Sequence, residues 1–212
     1  MPDERTGLRR GILVWYLAFA IWHCASDASA AQQLLDRIVA RVSATAITLT
    51  DLQAARGFGI VTGATDAAAL QQMIDRQLLL IEVGRFPPAE PAEAAITAQV
   101  SRERAAAGSR AVELMVATGT DEARLRDLAR DTLRIDSYVD QRFGTPQEVT
   151  DDDAAAYYGA HPEEFRSNGA VIPFDEALPL ARQRVAAERR RTQLERWLID
   201  LRSRADIVVP MV

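Results

Sequence analysis

The sequence predicts a mostly helical domain whose two ends are joined in a small β-sheet. Three observations predict it. The longest pattern, Glu176 to Ala205, places Leu194, Leu198, Leu201 and Ala205 on one helical face, with Trp197 widening it. That helix runs into a short apolar strand, Ile207-Val208-Val209, stopped by Pro210. A lone strand leaves its backbone donors and acceptors unpaired. The other strand-like sequence lies near the start, at Ile38 to Val42 and Ile47-Thr48-Leu49, so the two ends are expected to meet.

In chain order, Ile38 to Val42 and Ile47 to Leu49 read as a hairpin across Ser43-Ala44-Thr45-Ala46. Thr50 is the expected cap of a short helix that ends near Gly57 or Gly59. Asp66 to Phe86 is apolar on more than one face, through Leu70, Met73, Ile74, Leu78 to Ile81 and Val83, and is expected to be buried by several neighbours. Pro87-Pro88 and Pro91 interrupt the chain. A third helix runs from about Pro91 to Ala106, with Ile96 and Val100 inward and Gly108 at its end. Val112 to Ala117 is a short apolar helix closed by Gly119.

Thr120 is the expected cap of a long helix with Asp121 and Glu122 in its first turn, where acids meet the positive end of the helix dipole. Its stripe is Leu125, Leu128, Thr132, Ile135, Val139 and Phe143, and Gly144 with Pro146 ends it. Thr150 begins another helix that reaches Ala160, followed by His161-Pro162-Glu163-Glu164-Phe165 and a polar stretch, Arg166 to Ala170. The middle of the last helix, Arg182 to Gln193, is nearly all polar, so that helix is expected to need a partner at one end only.

Composition excludes several function classes. The 212 residues are 48% hydrophobic and 26% charged, an ordinary globular balance. The net charge of −5 argues against a nucleic-acid partner, since phosphate binding needs excess positive charge. Arg189-Arg190-Arg191 is the local exception and reads as a solvated helix face paired with Glu188 and Glu195.

Residues 1–30 read as an export signal. Arg5, Arg9 and Arg10 precede the apolar run Gly11 to Trp22, and Ala28-Ser29-Ala30 is a small-x-small site with cleavage between Ala30 and Ala31. The run is shorter than the ~20 residues that span a bilayer. An uncleaved inner-membrane anchor is the alternative, and with cleavage no stable membrane insertion is expected. Cleavage also removes Cys24, the only cysteine, which suits an oxidising compartment and excludes thiol catalysis and cysteine zinc sites. The remainder divides into a helical domain, 31–170, and a closing helix and strand, 171–212, that complete it.

Little catalytic chemistry is available. His161 is the one histidine after the signal, and nothing supplies a third ligand beside Glu163 and Glu164. Asp151-Asp152-Asp153 lacks the spacing of a calcium loop and is explained by the helix start. No phosphate-cradling loop or nucleophile elbow is present. The expectation is no catalytic residue, no metal and no cofactor.

Taken together, DRIVARVSATAITLTDL, the apolar QQMIDRQLLLIEVGR, the long LRDLARDTLRIDSYVDQRFG with VTDDDAAAYYGAHPEEF, and the closing FDEALPLARQRVAAERRRTQLERWLIDLRSRADIVV resemble the SurA-type periplasmic chaperones and their parvulin-type relatives. The resemblance implies a helical chaperone domain closed by a small sheet. In that family a prolyl isomerase domain sits between the HPEEF-like segment and the closing helix. Here only RSNGAVIP separates Phe165 from Phe174, too little chain for a domain with its own core.

The implied function is therefore ATP-independent binding of unfolded or extended polypeptides, outer-membrane or secreted clients, without isomerase catalysis. Met73, Leu114, Met115, Tyr138 and Phe143 are the candidate peptide-binding residues, as adaptable apolar side chains at helical spacing. Ordinary core packing is the competing reading for each. A dedicated assembly subunit of a cell-envelope complex is the alternative function. A residual isomerase activity would need an active site for which the chain has no room. Ser167-Asn168-Gly169 is a short hinge that leaves room for a homodimer by exchange of the closing helix.

Overall fold

The computed structural model describes residues 36–144, 148–167 and 169–210, so the export signal and its Ala30–Ala31 cleavage site lie outside the described residues. Strand β1 (Ile38–Val42) pairs antiparallel with β2 (Thr45–Thr48) on one side and with β5 (Ile207–Val208) on the other. The ends of the domain meet, as the unpaired C-terminal strand required. Ala40, Val42 and Ile47 alternate inward and are buried, as the two-residue period of a strand dictates. The hairpin turn is tighter than the four residues expected. It is Ser43 and Ala44 alone, with Ser43 at φ 52° and its amide donating to the Asp206 carbonyl at 2.7 Å. The turn is thereby tied to the far end of the chain.

Helix α1 (Leu49–Gly57) is capped by Thr48, not Thr50. Thr48 is still extended at ψ 167°, so its hydroxyl can turn back onto the Asp51 amide while Asp51 accepts from the Thr48 amide. Thr50 lies inside the first turn and bonds Asp36 instead. Helix α2 (Asp66–Arg85) carries Thr65 as its cap. It supports the sheet with Ile74 and Leu78, and a different face presents Leu79 and Val83 to Ile135 and Tyr138. This is the burial on several sides that its apolar circumference predicts.

Helix α3 (Glu93–Ala107) ends at Gly108, whose φ of 61° starts one turn of 3₁₀ helix (Gly108–Arg110) and redirects the chain into α4 (Ala111–Thr118). Helix α5 (Glu122–Phe143) is capped by Asp121, which accepts from the Arg124 amide at 2.7 Å. Thr120, the expected cap, is buried and shares a 2.8 Å hydroxyl contact with Thr118. With Thr120 buried in this way, Asp121 takes the cap, where its carboxylate also meets the helix dipole. Ile96 and Val100 of α3 pack with Leu125 and Ala129 of α5 around Phe58.

The remaining elements form a second, smaller cluster. Helix α6 (Asp151–Ala160) begins with a capping box between Thr150 and Asp153. A 3₁₀ turn (Pro162–Phe165) follows, and the stretch read as a polar connection is a two-stranded hairpin, β3 (Arg166–Ser167) with β4 (Ala170–Val171), turned by Gly169 at φ 83°. Phe165 is buried among Ala154, Ala177 and Ala181. The last two belong to α7 (Phe174–Arg204).

Helix α7 corrects the expectation of a partner at one end only. Its first half packs on α6 through Ala177, Ala181 and Val185. Its far end places Leu201 under the sheet, and Arg202 Nε donates to Asp75 at 2.6 Å. The polar middle is held by charge. Arg182 pairs with Asp151, Arg184 with Glu164 at 3.2 Å, Arg189 with Asp153 at 2.7 Å and Arg190 with Asp140. Of the triple arginine only Arg191 keeps the expected partner, Glu195, at 3.7 Å. The Thr150 cap and Arg189 together hold the Asp153 carboxyl below its ordinary range. Among the described residues no helix is long and apolar enough to cross a membrane.

One buried acid sets a pH dependence. Glu103 on α3 is 3% exposed, and its Oε2 has no hydrogen-bond partner among the described residues. Burial raises its pKa, which the Gln99 hydrogen bond and the charges of Arg76 and Arg102 offset only in part. Asp131 and Asp136, which face Arg76 from α5, are raised for the same reason. A raised carboxyl contributes its stability below the ordinary range, and that contribution is lost as pH rises through the raised native value. Glu103→Gln is expected to stabilise the protein by about 1 kcal/mol at neutral pH, which is about 2–4 °C in Tm, by removing a buried charge that its neighbours compensate only in part. Below the ordinary glutamate range both forms are neutral and the difference should vanish. A calorimetric series over pH, wild type against variant, measures this, and a constant gap at every pH would contradict it.

Candidate functional site

Helix α4 has the sequence AVELMVAT, and none of its eight residues is buried. An apolar helix ordinarily turns at least one face into the core. Here Leu114 and Met115 are only partly covered, against the Phe58–Leu125 cluster. Val112 and Val116, one turn apart, are 74% and 80% exposed. Scattered exposed valines are ordinary, but two on one turn of an uncovered apolar helix make a patch.

Beside this helix lies a cavity of about 340 Å³, lined by Gln53, Arg56 and Gly57 of α1, by Ala107 of α3, and by Arg110, Glu113, Leu114 and Ala117 around α4. Its lining is mixed: Gly57, Ala107, Leu114 and Ala117 are apolar, and Gln53, Arg56, Arg110 and Glu113 are polar or charged. Gly57 shapes it. A Cβ there would collide with Leu114 Cδ2 and stand 2.8 Å from Cδ1, so the missing side chain is what lets Leu114 lie against α1. Local sequence explains why the helix is displayed: Gly108 and Gly119, at φ 61° and 63°, break the chain on both sides of it.

The five candidate residues lie in three places. Leu114 and Met115 are together on α4. Met73 is partly buried between the sheet cluster and the α1–α2 cluster. Tyr138 is buried with Leu79, Val83 and Ile135. Phe143 lies 5.4 Å from the Trp197 ring, with the Arg142 guanidinium 4.8 Å above the same indole. That packing uses the faces of Tyr138 and Phe143 for α7. Val112, Val116 and Gly57 are not among the sequence candidates. The four-residue spacing of the two valines is a signal present in the sequence, whereas the role of Gly57 is not.

His161, Glu164, Asp151 and Asp153 make local packing contacts or ion pairs, although His161 Nδ1 is buried with no hydrogen-bond partner among the described residues. His161 ends α6 and its ring stacks on Tyr157, centroids 4.2 Å apart and 2° from parallel. The Tyr157 hydroxyl donates to Glu164 at 3.0 Å. Asp151 and Asp153 carry the α7 ion pairs described above. Among the described residues no group of three or more histidine, cysteine, aspartate or glutamate side chains is placed to hold a metal ion.

Comparison of the chain with protein-family models, with curated proteins and with solved structures returns no match.

Proposed function

We propose that this chain binds exposed apolar segments of unfolded polypeptides without ATP, as a chaperone-like protein of the periplasm. The observation that carries the reading is α4, an apolar helix with no buried residue that displays Val112 and Val116 to water and contributes Leu114 and Ala117 to a cavity. The residue pattern resembling SurA-type chaperones and the export signal read in residues 1–30 supply the compartment and the client class.

The energetics suit temporary holding. Covering two valine side chains offers about 3–6 kcal/mol before any ordering cost. That corresponds to affinities weaker than about 10 μM, so a client can leave without an energy source. A binder without isomerase catalysis is supported by the pairing of Arg166–Ser167 with Ala170–Val171, which occupies the position of the family's catalytic domain.

The test is aggregation of a urea-unfolded outer-membrane polypeptide diluted into buffer, with and without the protein. Suppression at modest molar excess is expected. Val116→Asp should abolish it and shift stability by no more than about 0.5 kcal/mol, because the side chain is already in water. Suppression unchanged in Val116→Asp would exclude α4 as the holding surface. No suppression, together with one stoichiometric partner captured from envelope extract, would favour the dedicated assembly subunit.

A further inference from the structure

We infer that the cavity beside α4 is a socket for one bulky apolar side chain of the bound segment, and that the Gly57–Leu114 contact sets the size it accepts. This rests on the holding function proposed above and specifies what is recognised there.

Three features commit the socket to this occupant. The first is charge. Arg56 is already engaged by Asp66, and the other charges on the rim, Arg110 and Glu113, are one of each sign. A balanced rim offers no net attraction to an acidic or a basic ligand, so selection falls to shape and apolarity. The second is area. A helix of eight residues is about 12 Å long, and one face of it cannot bury the ~800 Å² per partner of a stable dimer. A second copy of this chain is therefore a poor occupant, and a short stretch of extended polypeptide is a good one. The third is exposure. Val112 and Val116 lie on the same helix, outside the cavity lining, and stand in water, so an extended chain that places one side chain between α1 and α4 can meet them by crossing α4.

Gly57 makes the socket testable. It is the last residue of α1 and has no positive φ, so alanine is compatible with its backbone. The three atoms nearest to the added Cβ all belong to the flexible Leu114 side chain, which would have to move away from α1. The substitution should narrow the socket without unfolding the helix.

The experiment is methyl NMR of the full chain titrated with unstructured, uncharged peptides that differ at one central residue: alanine, leucine or phenylalanine. Leu114 and Val116 methyl signals report occupancy. The leucine and phenylalanine peptides are expected to bind about tenfold or more tighter than the alanine peptide. Raising salt from about 50 mM to about 500 mM should change the affinity by less than about twofold, because no ion pair is involved. In Gly57→Ala the tenfold preference should collapse while peptides still perturb Val116. Ala117→Leu, which adds bulk to the cavity from α4, should do the same if Gly57→Ala proves unstable.

Binding at Val116 with no dependence on side-chain size would overturn the socket and leave the holding function standing. The socket is likewise overturned if either variant, natively folded, keeps the full preference. No response at Val116 or Leu114 to any peptide would overturn both. Methyl shifts that depend on protein concentration alone would mean that a second copy covers α4, and the socket would then be overturned too.

Discussion

Phe165→Ala is expected to cost about 3–5 kcal/mol, the range for emptying a buried aromatic site. Phe165 is fully buried in one cluster with Ala154, Ala177 and Ala181, whose single methyls cannot swing into an emptied space, while Tyr157, Tyr158, Ile172 and Phe174 pack against that cluster from its edge. Tyr157 stands edge-on at 6.2 Å and Tyr158 is tilted at 5.0 Å, so two ring contacts are lost as well. The damage should be local. The α6–α7 cluster has its own core, and the middle of α7 is joined to α5 and α6 by exposed or half-exposed ion pairs, which are individually weak. Hydrogen exchange should show amides of 151–185 losing protection while those of the three-stranded sheet keep theirs. Uniform loss over the whole chain would mean that the two clusters fold as one unit. Tyr158→Phe is the mild comparison: it removes a 2.6 Å hydrogen bond to the Ile172 carbonyl, worth about 1 kcal/mol.

Leu201→Ala is expected to cost about 2–5 kcal/mol. Leu201 is 7% exposed and meets Ala40, Val42, Ile47, Ile74 and Leu78, so it seals the sheet made from the two ends of the domain. Two positions earlier on the same helix, Ile199 is 61% exposed, and Ile199→Ala should stay within about 0.5 kcal/mol. The pair removes comparable apolar bulk from one helix, so the contrast isolates burial. Denaturant midpoints should separate while the slopes agree. Loosening Leu201 also weakens the seat of β5, whose departure would leave the β1 edge unpaired and open to another chain. Concentration-dependent association of the variant, absent in wild type, should accompany the lost stability. Equal midpoints for Leu201→Ala and Ile199→Ala would show that the closing helix does not hold the sheet.

The element order of this protein was legible in the sequence because its causes are local. Caps, glycine stops and the 3.6-residue period act within a few positions of one another. They bound α2, α3, α4 and α5 closely, and the need to pair a terminal strand brought the two ends together. Net charge was legible as well, because it is a property of composition. Where the reading failed, two local solutions were both chemically sound. Thr48 or Thr50 could cap α1 and Thr120 or Asp121 could cap α5, and only the extended reach of β2 and the burial of Thr120 decided between them.

Tertiary structure alone decided the partners of distant charges and the fate of equivalent apolar residues. Arg189 and Arg190 reach acids on α6 and α5 that lie far away in sequence, and no periodicity encodes those pairs. Met73, Tyr138 and Val116 are all apolar residues at helical spacing. Packing on several sides covers the first two, while glycine breaks on either side of α4 leave the third in water. Periodicity says which face of a helix is apolar, but whether another element arrives to cover that face depends on the path of the whole chain.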